Sequence, residues 1–209
     1  MEKIRVLLIV MGTSGSGKST VAKVVADRLN AAFIEGDDFH SQENKNKMAS
    51  AIPLQDEDRW PWLRDIKTNI ILEFSAQKVT QPKQDLLTPV LEKCNFVVLS
   101  CSSLKKCYRQ VLLNELKLEE PFDDVENAYH TLILYLKGSY DLILERLKAR
   151  KNHFAGPGLL QSQFKTLEEP LPDEENVVAI PISEPPSVIY DLSYAAAVDY
   201  ATSLLNKSQ

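Results

Sequence analysis

Gly12-Thr13-Ser14-Gly15-Ser16-Gly17-Lys18-Ser19 is the stretch on which the reading of this chain turns. It satisfies G-x-x-x-x-G-K-[ST] at every fixed position. Glycines let backbone N–H groups turn inward on an anion, and a following helix adds the positive end of its dipole. The context fits. Residues 5–11 are apolar, β-branched and continuous, as in a strand buried on both faces. Residues 19–30 place Val21, Val24, Val25 and Leu29 on one helical face. Strand, loop and helix together predict a phosphate loop. Gly12, Thr13, Ser14, Gly15, Ser16, Gly17, Lys18, Ser19 and Thr20 are therefore expected to bind ATP, with Lys18 on the β- and γ-phosphates and the Ser19 hydroxyl on Mg²⁺.

Outward from the loop, strand and helix patterns alternate. Short apolar strands are expected at 32–35, 95–101, 130–136 and 176–182. Helices are expected at 41–51, from Trp60-Pro61 to Ala76, at 105–118, 139–151 and 187–204, with another ending the poorly patterned stretch 77–93. In the long helix Pro61 is read at the first position, where its missing N–H costs nothing. Five buried strands with helical crossovers predict a three-layer, doubly wound, parallel five-stranded α/β sheet, with ligands at the carboxyl ends of the strands. A length of 209 residues and the absence of repeats fit a single domain spanning 1–209.

Composition narrows the function. A net charge of −5 argues against a protein whose main partner is nucleic acid, because that affinity rests on neutralising phosphates. The longest apolar runs, near residues 5–11 and 96–101, are too short to cross a bilayer, so no membrane partner is expected. No export signal is recognised, which makes the cytoplasm the expected location. Cys94, Cys101 and Cys107 lack metal-site spacing and read as buried, reduced thiols.

Phosphate loops serve switches, motors and kinases. The third strand, Phe96-Val97-Val98-Leu99-Ser100-Cys101, lacks the terminal acidic pair of a motor, and Asn44-Lys45-Asn46-Lys47 lacks the carboxylate of a guanine-reading motif. Acid is concentrated instead at Asp37-Asp38, after the second strand. That suits a kinase whose carboxylate faces both Mg²⁺, directly or through water, and the acceptor hydroxyl. Asp37 is the first candidate, and Asp38, with the opposite side-chain direction, is the alternative.

Further blocks carry a family resemblance. They are Gly36-Asp37-Asp38-Phe39-His40, Asn44, Lys47-Met48, Pro53-Leu54, Asp56-x-Asp58-Arg59 and Pro61-Trp62-Leu63. Later come Cys101-Ser102-Ser103-Leu104-Lys105-Lys106-x-Tyr108-Arg109, Tyr135-Leu136-Lys137-Gly138, the run from Arg146 to Phe154, and Gln163-Phe164-x-Thr166-Leu167-Glu168. In this order they resemble the gluconokinase family across nearly the whole chain. The resemblance implies a P-loop kinase fold of the adenylate and shikimate kinase type with a small mobile lid, here within about 146–166. It also implies ATP-dependent phosphorylation of D-gluconate at its 6-hydroxyl, and a homodimer. The longer segments 78–93 and 114–129, and the linker Ala155-Gly156-Pro157-Gly158, depart from the compact bacterial pattern and point to a eukaryotic, fungal version.

The resemblance also assigns roles. Asp37 orients and deprotonates the acceptor; Arg59 offers a planar fork to the carboxylate, with Lys105 and Arg109 adding charge; His40 and His153 suit hydroxyls. Arg146 and Arg150 are four apart on one helical face, the first implied against adenine and the second against phosphates, as an arginine finger in cis. The rival readings are a related kinase acting on shikimate or another sugar acid, and a non-catalytic ATP-binding regulator.

Overall fold

A strand whose residues from Val6 to Met11 are all fully buried must have neighbours on both edges and cover on both faces. That strand, β1 (Ile4–Met11), lies at the centre of the sheet. The computed structural model of the chain describes residues 3–50, 52–76, 89–115, 129–149, 157–171, 174 and 176–207. The other strands are β2 (Ala32–Glu35), β3 (Cys94–Ser100), β4 (His130–Lys137) and β5 (Val177–Pro181). Their order is β2-β3-β1-β4-β5, and every pairing is parallel.

Side chains alternate across a strand, so β1 feeds two cores. Val6, Leu8 and Val10 pack with α1 (Lys18–Leu29), α6 (Tyr140–Ala149) and α8 (Pro186–Lys207). Leu7, Ile9 and Met11 pack with α3 (Asp56–Ala76) and α5 (Lys106–Leu112). Each fully buried aliphatic side chain in these layers contributes on the order of 1.5–3 kcal/mol. The connection leaving β1 runs through α1 on one face, and that leaving β3 runs through α5 on the other. The chain therefore diverges at the carboxyl ends of β1 and β3, the place where open parallel sheets bind ligands.

Three expectations need correction. The helix α3 begins at Asp56, four residues before Trp60, and Pro61 lies inside it. Its first turn carries Asp56, Glu57 and Asp58, which suit the positive helix terminus. Pro61 removes only the bond to the carbonyl of Glu57, an exposed residue. Strand β5 is not buried on both faces: it is an edge strand, with Val178 and Ala179 exposed. A helix not foreseen, α7 (Pro157–Thr166), stands where a linker and lid loop were expected, and it opens on a proline. The short helices α2 (Gln42–Ala49) and α4 (Pro89–Lys93) complete the set described. Cys94 and Cys101 are buried, Cys107 is half-buried, and all three are free. Among the described residues, no helix is long and apolar enough to cross a membrane.

The turn that carries Asp37 is held at Gly36, where β2 passes into a 3-10 turn, Gly36–Phe39. Trp62 Nε1 donates to the Gly36 carbonyl at 2.7 Å, and a Cβ at Gly36 would lie 2.7 Å from the Ser100 carbonyl oxygen. Backbone cannot yield as a side chain would. Gly36→Ala should therefore cost roughly 1–3 kcal/mol, read as a lower urea midpoint at unchanged slope. An unchanged midpoint would show that the end of β2 has room to move.

Candidate phosphate and acceptor site

The loop after β1 is built for an anion. Gly17 caps α1 in the left-handed region at φ 97°, a conformation that carries little cost only without a Cβ. No described side chain caps α1, and no acidic residue sits in its first turn. Its leading N–H groups and the positive end of its dipole are left for an external anion. Thr13 Oγ1 and Ser16 Oγ are buried with no partner among the described residues, a cost that an oxygen-rich ligand would relieve. Lys18 Nζ is folded back onto the Thr13 carbonyl at 3.1 Å, within reach of the same cradle. Ser19 Oγ lies 3.4 Å from Ser100 Oγ, at the end of β3.

Among the described residues no three His, Cys, Asp or Glu side chains gather to hold a metal. The oxygen groups that are present, Ser19 Oγ at the cradle and the Asp37 carboxylate in the adjoining cavity, are of the kind that suits Mg²⁺, which takes few protein oxygens beside phosphates and waters.

A cavity adjoins this cradle. Ser14 and Lys18 are part of its lining, as are Asp37, His40, Arg59 and Gln163. Of the two acids after β2, only Asp37 reaches it. Asp38 is not part of the lining, and its backbone carbonyl accepts from Lys45 Nζ at 3.0 Å. His40 stacks on Trp62 with ring centroids 4.4 Å apart and planes 10° from parallel. Burial pushes its pKa down to about 4, against the opposing pull of Asp37. The imidazole is therefore neutral near pH 7, one nitrogen donating and the other accepting.

The three cations read as a carboxylate clamp have different fates. Arg59 lines the cavity, with Nη1 donating to the Leu54 carbonyl at 2.7 Å and to Tyr108 Oη at 3.2 Å. Its guanidinium also sits 5.4 Å from the Tyr108 ring centroid. Lys105 is not part of the cavity lining. Its ammonium makes bonds of 2.6 and 2.8 Å to the two oxygens of Asp56, which also accepts from Tyr108 Oη. Lys105 and then Tyr108 hold the Asp56 carboxyl below its usual range. The charge of Lys105 is spent inside the protein.

Arg109 departs furthest from expectation. Its side chain has no exposure, and Nε and Nη2 fork onto Glu174 at 3.0 and 2.9 Å. Nη1 donates to the carbonyls of Ser103, Leu104 and Glu168. A guanidinium so engaged has no edge to offer a substrate, so Arg109 is a strut rather than a ligand.

The helix α6 packs Ile143 and Leu147 beside the loop at Gly15. From the same helix Arg146 Nη2 donates to the Ile182 carbonyl, just beyond β5. Arg150 and His153 lie outside the described residues. Two groups that sequence reasoning gave no role are prominent. Tyr108 joins Arg59 to Asp56. Gln163 reaches from α7 to the Ser14 N–H at 2.6 Å. The signal for Gln163 was present: Leu159, Ser162, Gln163 and Thr166 share one helical face toward the cavity.

The Arg109–Glu174 pair gives a test of the strut. Burial raises the Glu174 carboxyl, but the hydrogen bonds from Arg109 and from the Leu171 N–H, together with the positive charge of Arg109 and Lys106, outweigh it and hold the group below its usual 4.5. A depressed carboxyl contributes stability above 4.5 that is lost as pH falls through the folded value. Glu174→Ala leaves a buried cation without its counter-charge and should cost about 3–5 kcal/mol at pH 7. The loss should shrink as the wild type is acidified, and acceptor KM should change far less than the melting temperature does. A large KM effect with unchanged stability would return Arg109 to the ligand set.

Comparison with known proteins agrees with this geometry. A family model described as Shikimate kinase matches residues 14–81. A Mus musculus protein named Probable gluconokinase is 43% identical over 78% of this chain and 83% of its own length. The Thermoresistant gluconokinase of Escherichia coli K12 is 40% identical over 86% of each chain. A crystal structure of a gluconokinase from Sinorhizobium meliloti 1021 superposes with a TM-score of 0.76 at 32% identity, covering all of both chains. With identity at this level over most of both lengths, on a parallel sheet whose phosphate loop opens onto an acidic and basic cavity, the chain belongs to the gluconokinase family.

Proposed function

We propose that this protein transfers the γ-phosphate of ATP to the 6-hydroxyl of D-gluconate, with Mg²⁺ as the metal. The observation that carries the reading is the cavity in which the phosphate-loop residues Ser14 and Lys18 meet Asp37, His40 and Arg59. The relatives named for gluconate phosphorylation support it.

Phosphoryl transfer asks the protein mainly for positioning and charge stabilisation. The loop amides of residues 12–20 hold the nucleotide, and Lys18 swings from the Thr13 carbonyl to the phosphates. Ser19 Oγ and Asp37 would hold Mg²⁺, which would supply neutralisation of the charge that develops on the transferred phosphoryl group. Asp37 orients the attacking hydroxyl and takes its proton. His40, neutral, exchanges hydrogen bonds with acceptor hydroxyls, and Arg59 faces the carboxylate. Lys105 acts at one remove: it fixes Asp56, which with Tyr108 sets the plane of Arg59. The resemblance extends the site to Arg146 near adenine, Arg150 on the phosphates and His153 on the acceptor, within a lid at about 146–166 of a single domain. It also makes the protein a homodimer, and the cytoplasm is its proposed location.

Asp37→Asn keeps the size of the side chain but removes the charge and the proton acceptor. Its kcat should fall on the order of 10²-fold or more, with far less change in ATP affinity. Full activity would move the role away from Asp37.

Acceptor identity is tested by ADP release in the presence of gluconate, glucitol, shikimate and glucose. Glucitol is gluconate with the carboxylate replaced by a hydroxymethyl group. Because Lys105 and Arg109 are spent internally, the carboxylate meets essentially one guanidinium, and a charged hydrogen bond of that kind discriminates by roughly 10²-fold. Gluconate should therefore exceed glucitol by about that factor in kcat/KM, and Arg59→Ala should close most of the gap. Equal turnover of glucitol would remove the carboxylate role from Arg59. Shikimate as the best substrate would assign the chain to the activity of the family model that matches residues 14–81. ADP release independent of every acceptor would favour a nucleotide-dependent regulator.

A further inference from the structure

The roof of the cavity is α7, and one of its side chains does something the phosphate loop does not require of it. Gln163 Oε1 accepts the backbone N–H of Ser14 at 2.6 Å, across 149 residues of sequence. This N–H belongs to the loop whose purpose is to donate to phosphate oxygens. A neutral amide carbonyl therefore stands on a donor that an anion would use.

Which phosphate would use it follows from position. Ser14 and Lys18 are the members of the loop that line the cavity shared with Asp37, His40 and Arg59. The phosphate that is transferred must be the one nearest the acceptor, so the Ser14 N–H lies at the terminal-phosphate end. The other amides at the start of α1, next to Gly17, carry no side-chain cap and are left for the inner phosphates. Lys18 is also satisfied internally, on the Thr13 carbonyl. Both donors at the acceptor end of the cradle thus have protein partners that a terminal phosphate must replace.

The helix that carries Gln163 is firmly held at other points. Leu160 is fully buried in the core on the face of the sheet that α1, α6 and α8 cover. Phe164 meets Tyr140 of α6 edge-on at 5.2 Å. Past the helix end, Glu168 donates its N–H to the Leu104 carbonyl at 2.9 Å. Its own carbonyl accepts from Arg109 Nη1 at 3.0 Å, and its carboxylate accepts the Lys106 N–H at 2.6 Å. With the middle of the helix packed at Leu160 and Phe164 and its C-terminal end tied at Glu168, the side chain of Gln163 can turn without the helix leaving its place. Its amide then still faces the cavity, where it can donate through Nε2 and accept through Oε1.

We propose that Gln163 is a positioning residue of the transfer site: its side-chain carbonyl holds the Ser14 N–H until the terminal phosphate takes that donor, and the released amide then binds a hydroxyl of the acceptor. The proposal rests on the nucleotide and acceptor reading given above. It makes one side chain report to the acceptor half of the cavity that a triphosphate, rather than a diphosphate, is in the loop. ADP has no terminal phosphate to displace the amide and should leave the Ser14 contact intact.

The test compares the affinity of the full-length protein for ADP and for the β,γ-imido analogue of ATP, both with Mg²⁺, by calorimetry. Gln163→Met keeps side-chain length and helix propensity but removes the oxygen. The analogue no longer has to displace a hydrogen bond, so its affinity relative to ADP should rise roughly twofold to tenfold. Gln163→Glu places a negative charge on the same N–H and should lower that ratio by about tenfold or more, through repulsion of the terminal phosphate. With saturating ATP, Gln163→Met should raise the KM for gluconate roughly twofold to tenfold while shifting kcat less. A merely structural glutamine would move the melting temperature and both nucleotides together, leaving the ratio at its wild-type value in both variants. That result overturns the proposal, as does an unchanged gluconate KM. Wild-type protein that binds neither nucleotide overturns the nucleotide reading itself, whereas normal ADP binding with an unchanged ratio overturns only the role of Gln163.

Discussion

A guanidinium removed from water must find a partner for each of its N–H groups or destabilise the fold that encloses it. Arg109 finds partners at all three of its nitrogens by joining segments that are distant in sequence. Its fork to Glu174 fixes the approach to β5, and its remaining nitrogen gathers the carbonyls of Ser103, Leu104 and Glu168. Those carbonyls belong to the loop leaving β3 and to the chain leaving α7. The roof of the cavity is thereby tied to the sheet at the end where β3 finishes. The arginine contributes to the site by deciding where α7 ends its span, although it touches no ligand.

Charge around the cavity is rationed by similar pairing. Lys105 is matched by Asp56, and Lys47 by Asp58 at 2.8 Å. Both acids lie in the first turn of α3, where the helix dipole also favours them. Arg59 follows in the same turn and is left facing the cavity, steadied by Tyr108. His40 adds no charge, because burial against Trp62 keeps it neutral. Among the described residues the result is a pocket with one guanidinium and one exposed carboxylate, Asp37, beside a phosphate cradle. Such a pocket can hold a polyol that carries a single negative charge without burying unpaired cations when it is empty.

The sheet was legible because its signals are local. A continuous apolar run followed by a glycine-rich loop identifies β1 and the cradle, and the order of the remaining runs yields the parallel topology. What the sequence hid depended on partners far away. Arg59, Lys105 and Arg109 look alike as residues, and only Asp56 and Glu174 distinguish a ligand from two internal pairs. The start of α3 was misread because Pro61 outweighed the acidic turn before it, although Asp56, Glu57 and Asp58 are a helix-start signal in their own right. Helix α7 was missed because two glycines flank Pro157 in the sequence and suggested a linker. The apolar positions Leu159, Leu160 and Phe164 carry the helical period that would have identified it.

The division of labour between segments also bears on how an acceptor is chosen. The cradle from Ser14 onward, the turn with Asp37 and His40, and the start of α3 all fall within residues 14–81, the stretch that the Shikimate kinase family model also matches. Within that stretch Asp37, His40 and Arg59 face the cavity. The remaining wall of the cavity packs against that stretch from outside it. Tyr108 reaches in from α5 to set Arg59, and α7 closes the cavity with Leu159, Ser162, Gln163 and Thr166. These contacts come from elements that Arg109 ties together, so the buried strut and the choice of acceptor are linked through the same few loops. The walls that face an acceptor are thus shared between the two halves of the chain, whereas the phosphate loop belongs to the first half alone.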